Sequence, residues 1–270
     1  MSQASQASQA SRVSKVLFVT AFKDIGRGQW TNSFARSSSQ YMESFELLAN
    51  AVKAAAGNEL VCFTDEPTPI NHVEVHPYDE DSTFIPKYLG RETEIMESLE
   101  YRRMVSHRLH HPEHSVPLYN LVNHNKVAFI KRARDMHPEY DMYVWIDVHY
   151  ARHKTMRAEY PPNAFEHLPT DRVTIASFCH AHDLPKADHK LLAIESKDAI
   201  VGSVYVVPHG IVDSFVAAYE ATLVNKYEAG VADDDQNVHA FLARCFPHMY
   251  NVVRVRGGWG AALNEITTPN

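Results

Sequence analysis

Runs of apolar residues about as long as a strand alternate along this chain with longer stretches in which apolar residues recur every three or four positions. That alternation is expected of strands layered against helices. Val16–Phe22 (V-L-F-V-T-A-F) reads as a strand buried on both faces, followed by a glycine-containing loop over 23–32 that carries Asp24, Arg27 and Trp30. Tyr41, Phe45, Leu48, Ala49 and Val52 then fall on one face of an amphipathic helix, and Gly57 supplies its left-handed stop. Residues 60–64 form the second strand, and 72–77 alternate as a third, more exposed one. The charged, Arg- and His-rich stretch 79–117 reads as one or two surface helices broken at Pro112.

Further on, Asn123 is the expected N-cap of a helix that faces Val127, Ile130, Ala133 and the Arg134 stem inward and ends near Pro138. The bulky β-favouring run 143–146 ends abruptly in Asp147-Val148-His149. Residues 173–178 and 200–207 are further strands, and Val216, Tyr219 and Leu223 mark a helix. Val238, Phe241, Leu242 and Cys245 mark another, behind Asp233-Asp234-Asp235. The pattern predicts a single α/β domain with a mixed Rossmann-type sheet flanked by helices.

Composition narrows the function. A chain of 270 residues that is 45% hydrophobic can bury a full core. Its net charge of −7 offers no basic excess to displace counterions from nucleic acid. No apolar run approaches the roughly 20 residues of a membrane span. Residues 1–14 begin with a threefold Ser-Gln-Ala repeat, lack both a basic and an apolar region, and read as a disordered leader rather than a secretory signal. Cys62, Cys179 and Cys245 sit in apolar stretches and read as buried thiols of a reducing, cytoplasmic setting. The 17 histidines are scattered and assign no site.

Four places can carry chemistry. Asp147 and His149, at i and i+2 of an extended segment, would project to one side beyond a strand's carboxyl end, where open α/β sheets hold ligands. A carboxylate with an imidazole favours Mn²⁺ over Mg²⁺; the plainer reading is a turn-forming aspartate and a surface histidine. Asp233, Asp234 and Asp235 precede a helix. Capping accounts for one of the three, which leaves Asp234 or Asp235 as a base or substrate acceptor. Arg27, in a glycine-flanked loop past the first strand, can grip a phosphate. Lys126, in the first turn of its expected helix, can reach a diphosphate or stand solvated. No P-loop, G-x-G-x-x-G, G-x-S-x-G, H-E-x-x-H or C-x-x-C is present.

With those segments in hand, the chain resembles the HtrL/YibB family. These are bacterial and viral proteins associated with surface-polysaccharide synthesis and similar to glycosyltransferases of the GT-A fold. The resemblance runs from about residue 15 to 260. It is carried by V-T-A-F-K-D-I-G-R-G-Q-W from Val19 to Trp30 and Y-V-W-I-D-V-H-Y-A-R from Tyr143 to Arg152, with support from Phe63-Thr64-Asp65 and the helix holding Asn123 and Lys126. It implies a GT-A-like domain over 15–270, with a nucleotide-sugar half at 15–150 and an acceptor half at 151–270.

The same resemblance implies donor contacts at Thr20, Phe22, Arg27, Asp65, Lys126 and Asp147, and a Mn²⁺ or similar ion at Asp147 and His149. Catalytic roles fall to Asp234, Asp235 and Gln236, which with Gly202-Ser203-Val204 look like the later GT-A strand and its acidic pair. Where GT-A enzymes carry D-x-D, this chain has Asp147-Val148-His149. The expected activity is sugar transfer from a nucleoside-diphosphate sugar, a UDP-sugar by first expectation, to a glycan hydroxyl. Asp235 acts as base if the reaction inverts; if it retains configuration, Asp235 and Gln236 bind the sugar. A non-catalytic nucleotide-sugar binder and a metal-dependent hydrolase are the alternatives.

Overall fold

The computed structural model describes residues 14–269 except 56, 69, 154, 155, 158, 196 and 197. Residues 1–13 of the expected leader therefore lie outside the described residues. Seven strands form one sheet: β1 (Val16–Phe22), β2 (Asn58–Thr64), β3 (Glu74–His76), β4 (Met142–Ile146), β5 (Val173–Ser177), β6 (Ile200–Pro208) and β7 (Tyr250–Arg254). Their spatial order is β3-β2-β1-β4-β6-β5-β7. The pairs from β3 to β4 are parallel, β6 runs antiparallel to both neighbours, and β5 and β7 are parallel. The result is a mixed, mostly parallel, Rossmann-like α/β domain.

Alternation along each strand divides the core in two. Leu17, Val19, Val61, Phe63, Tyr143, Trp145, Tyr205 and Val207 face one side. There they meet α2 (Ile85–Glu97), α3 (Leu99–Met104), α4 (Pro117–Met136), α5 (His189–Glu195), α6 (Val212–Glu228) and α7 (Asp235–Cys245). Val16, Phe18, Leu60, Cys62, Met142, Val144, Val204 and Val206 face the other side, toward α1 (Ser38–Ala54) and α8 (Ala262–Ile266). Period-two alternation with both faces apolar is what a sheet covered on both sides requires.

Local signals explain the helix ends. Ser37 caps α1 with a reciprocal capping box to Gln40, and Gly57 takes φ 92°, the left-handed conformation that the turn into β2 needs. The helix expected to start at Asn123 starts instead at Pro117, two turns earlier. Proline at the first helical position loses no hydrogen bond, and Asn123 donates to the Tyr119 carbonyl from within the helix. The third strand shrinks to three residues at the sheet edge.

The stretch 79–117 is less of a surface than its charge implies, because α2 buries Ile85, Tyr88, Glu92, Ile95 and Met96. Helices α5 and α8 and strand β7 had no sequence expectation; they span seven, five and five residues, too short for a periodic signal. The cysteines also divide. Cys62 is buried, which pushes its thiol up to about 12; Cys179 is half-buried and Cys245 exposed, because Cys245 ends its helix.

Phe129 of α4 is wedged between Phe63 (ring centroids 4.8 Å apart) and Tyr78 (4.9 Å), and it ties that helix to the sheet. Phe129→Ala is expected to lower the urea-unfolding free energy by about 3–5 kcal/mol. Leu47→Ala, at a side chain 54% exposed, is expected to stay within about 0.5 kcal/mol.

Candidate active site

Parallel β1 and β4 end side by side, so the chain segments leaving them, 23–36 and 147–152, flank one crevice. The antiparallel β6 then supplies its opposite wall. The register pairs Ile146 with Val204, and the Asp147 amide donates to the Ser203 carbonyl at 2.9 Å, which sets Gly202 beside the end of β4. A Cβ on Gly202 would stand 2.9 Å from Asp235 Oδ2 and 3.0 Å from Gln236 Cγ, so glycine is what lets the start of α7 close on the sheet. These walls enclose a cavity of about 550 Å³, within the usual range for small-molecule sites.

At its floor lies a charge triad in which Lys126 and Asp235 are buried and Asp147 is half-buried. Lys126 projects from the third turn of α4, with its Nζ 2.9 Å from Asp235 Oδ2 and 3.2 Å from Asp147 Oδ1, and it donates to the Gly202 carbonyl at 3.0 Å. Burial opposes the lysine's charge, but the Asp147 and Asp235 carboxylates outweigh it and raise its pKa. Burial raises the Asp235 carboxyl to about 6 even though Lys126 pulls the other way. Lys126 is thus neither a first-turn lysine nor a solvated one. Because two carboxylates already claim its charge, it is committed to them rather than free to grip a diphosphate.

The other two aspartates hold the start of α7. Asp234 is the N-cap, accepting from the Gln236 amide at 3.1 Å and from the Gln236 side chain at 3.0 Å. Asp233 accepts from the Asp234 amide and from Asn237. Burial, with repulsion from the Asp235 and Asp233 carboxylates, raises the Asp234 carboxyl strongly. Beneath them, buried Lys226 donates to the Asp233 carbonyl and to His124, whose Nδ1 lies 2.7 Å from the Tyr219 hydroxyl. This network pins the N-terminus of α7 where Asp235 meets the cavity.

The opposite rim is cationic. The Arg27 Nε and Nη2 donate to the Phe34 carbonyl and its Nη1 to the Tyr41 hydroxyl, while its guanidinium lies 5.2 Å, 5.9 Å and 5.5 Å from the rings of Trp30, Tyr41 and Tyr119. Arg36 donates to the Ser33 and Ala35 carbonyls. Arg152 is exposed at the rim, yet crowding by protein atoms around its guanidinium lowers its pKa; Asp147 raises it, and the Arg36 and Arg27 charges lower it further. Among the described residues, none of these three arginines has a carboxylate within ion-pair distance.

Of the residues expected from sequence, Phe22, Arg27, Lys126, Asp147, His149, Asp234, Asp235 and Gln236 all line this cavity. Thr20 and Asp65 do not. Thr20 is fully buried within β1, two residues short of the strand's end. Asp65 spends its Oδ1 on the Tyr78 amide at 3.0 Å, fixing the loop after β2.

The metal expectation at Asp147 and His149 meets a different geometry. The chain leaves extended conformation at Ile146 and turns, with the Tyr150 amide donating to the Asp147 carbonyl at 2.8 Å, so the two side chains are not strand neighbours. Asp147 Oδ1 accepts from the Trp145 indole at 2.8 Å and faces Lys126, and His149 packs on the Tyr41 ring. Among the described residues no third His, Cys, Asp or Glu joins them in a three-ligand group. The Asp147 charge is thus answered by the Lys126 ammonium, with one imidazole alongside.

Arg36, Tyr41, Tyr119 and Arg152 were not legible as site residues. Arg152 closes the Tyr143–Arg152 motif, but Tyr41 reads from sequence as part of the apolar face of α1, and Tyr119 lies before the expected start of α4.

Among known proteins, the chain is 27% identical over 266 residues to Protein HtrL of Escherichia coli (strain K12), an alignment covering 89% of this chain and 88% of that one. Residues 14–266 match the family described as bacterial protein of unknown function (HtrL_YibB). That match spans nearly the whole described fold, from the strand that opens the sheet to the helix that closes it, and the chain belongs to the HtrL/YibB family.

Proposed function

We propose that this protein is a glycosyltransferase that moves a sugar from a nucleoside-diphosphate sugar, a UDP-sugar by preference, to a hydroxyl of a glycan acceptor. The observation that carries the reading is the polarity of one cavity. Guanidiniums with no carboxylate partner among the described residues form one rim, and a buried carboxylate raised to about 6 stands on the facing wall. Transfer builds negative charge on the departing diphosphate and requires a proton to leave the acceptor, so it needs both ends.

In this scheme Arg27, Arg36 and Arg152 hold the diphosphate, and guanidinium forks suit its oxygens. The aromatic rings of Trp30, Tyr41 and Tyr119 keep Arg27 in place. Asp235 accepts the acceptor's proton as the acceptor oxygen bonds to the anomeric carbon and the bond to the diphosphate oxygen breaks. The electron pair of that bond leaves with the diphosphate, whose charge the arginines meet. Lys126 positions Asp235 and Asp147 and holds the Asp235 pKa below what burial alone would give it.

A base with a pKa of about 6 is charged and competent above that value, so transfer is expected to rise between pH 5 and 7 and then level. Asp235→Asn is expected to cut transfer by about 10²-fold or more, to abolish that rise and to leave UDP affinity in calorimetry nearly unchanged. Equal loss of UDP binding would remove the base role. The ionisation also carries a stability sign. The unfolded carboxyl titrates near 3.8 and the folded one near 6, so wild-type stability falls as pH rises across that window, a loss the asparagine variant should lack.

Arg27→Ala is expected to weaken UDP binding about tenfold, the worth of one charged hydrogen-bond partner. Unchanged affinity would place the diphosphate elsewhere. Gly202→Ala drives a methyl into Asp235 and Gln236 and is expected to lower transfer by about 10²-fold, as misplacement by about 1 Å does, with UDP affinity retained. Assays of UDP and GDP with and without Mn²⁺ separate the readings. Nucleotide binding without turnover would leave a non-catalytic binder, and absence of nucleotide binding would defeat the proposal.

A further inference from the structure

Away from the cavity, one cluster has the composition of a metal site and no part in the proposed reaction. Glu74 and His76 sit at i and i+2 of edge strand β3, in register with Val61 and Phe63 of β2. Those two partners face the α4 side of the sheet, so Glu74 and His76 share that face. Helix α4 ends there, with His137 as its C-cap. Tertiary structure thus brings together a carboxylate and two imidazoles from segments 61 or more residues apart in sequence.

Their spacing is that of ligands around one ion. Glu74 Oε1 stands 2.7 Å from His76 Nε2 and 3.4 Å from His137 Nε2, and one ligand atom of each residue lies within 4.8 Å of the other two. Two ligands about 2.05 Å from a tetrahedral ion are about 3.3 Å apart. A hydrogen bond between Glu74 and His76 accounts for the shorter contact alone. It leaves His137 Nε2 buried, aimed at the same carboxylate and without a hydrogen-bond partner, the condition that a metal would relieve.

We propose that Glu74, His76 and His137 bind a borderline divalent cation, Zn²⁺ by its preference for imidazole with one carboxylate, with water as the fourth ligand. The Glu74 side chain is 43% exposed, which leaves room for that water and for entry of the ion. The ion clamps the three-residue edge strand to the end of α4. It thereby secures an edge whose unpaired backbone would otherwise be open to another chain. None of the three residues lines the 550 Å³ cavity, so the site is independent of the transferase reading.

Calorimetry of the full chain with ZnCl₂ is expected to show one specific site that MgCl₂ does not fill, together with a higher melting temperature in Zn²⁺. Cobalt substitution is expected to give the strong visible absorption of a tetrahedral ion. His76→Gln, His137→Gln and the exposed Glu74→Gln are each expected to weaken the site about tenfold or more, while metal-free far-UV circular dichroism and melting stay as in the wild type. Specific Zn²⁺ binding that survives in the His76→Gln/His137→Gln double variant would assign it to other histidines and overturn the proposal. Equal heats from Mg²⁺, or the absence of any site, would do the same. Should one imidazole variant fail to fold, the Glu74→Gln titration still decides.

Discussion

A lysine ammonium buried between two carboxylates, Asp147 from the end of β4 and Asp235 from the first turn of α7, is the constraint on which the rest of the cavity depends. Burying one such charge without a partner is strongly unfavourable, and a buried pair repays its desolvation only when geometry and hydrogen bonds are good. Lys126 meets that condition by reaching both acids and the Gly202 carbonyl. It also couples three elements distant in sequence, α4, β4 and α7, so that none can shift without exposing an unpaired charge. Beneath it, the polar network of Lys226, His124 and the Asp233 backbone carbonyl fixes the helix that bears Asp235.

The sheet makes that meeting possible. Reversing β6 against parallel β4 brings the start of one strand to the carboxyl end of the other, so Gly202 and Asp147 become neighbours. A glycine at that point leaves space for the Asp235 carboxylate, whose Oδ2 a methyl there would meet at 2.9 Å. On the other side the loop after β1 folds back, so that Arg27 is held by the Phe34 carbonyl, the Tyr41 hydroxyl and aromatic rings instead of acids. Restrained by these partners, it is not neutralised by a carboxylate among the described residues. The division of the cavity into an anionic wall and a cationic rim therefore follows from strand direction and loop path rather than from net composition, which is acidic overall.

Strands β1, β2, β4, β5 and β6 were legible because both of their faces are covered, which leaves continuous apolar runs. The α1 and α7 faces were legible through their 3.6-residue period and clear caps. Boundaries failed where the physics is not periodic. Pro117 opens α4 ahead of a polar stretch whose Asn120, His124 and Asn125 are buried by partners no sequence window reveals. Asp147, Asp235 and Arg27 could be singled out because strand ends, helix starts and glycine loops are local features. Tyr41 and Tyr119 could not, since an aromatic residue on a helix reads as core whether it meets leucine or a guanidinium.

The sequence by itself determined the layered α/β class, the two-sided burial of the central strands, an acidic cap among Asp233–Asp235 and the segments that would border a crevice, because each follows from short-range periodicity and backbone chemistry. Tertiary structure alone decided what the charged groups do there. It turned Lys126 from a surface lysine into a buried ammonium, bent the Asp147–His149 segment out of strand geometry, withdrew Thr20 and Asp65, and brought Glu74 and His76 to His137. Those outcomes depend on which charges lie within a few ångströms of one another in a low-dielectric interior, a property of distances in space that separation along the chain does not encode.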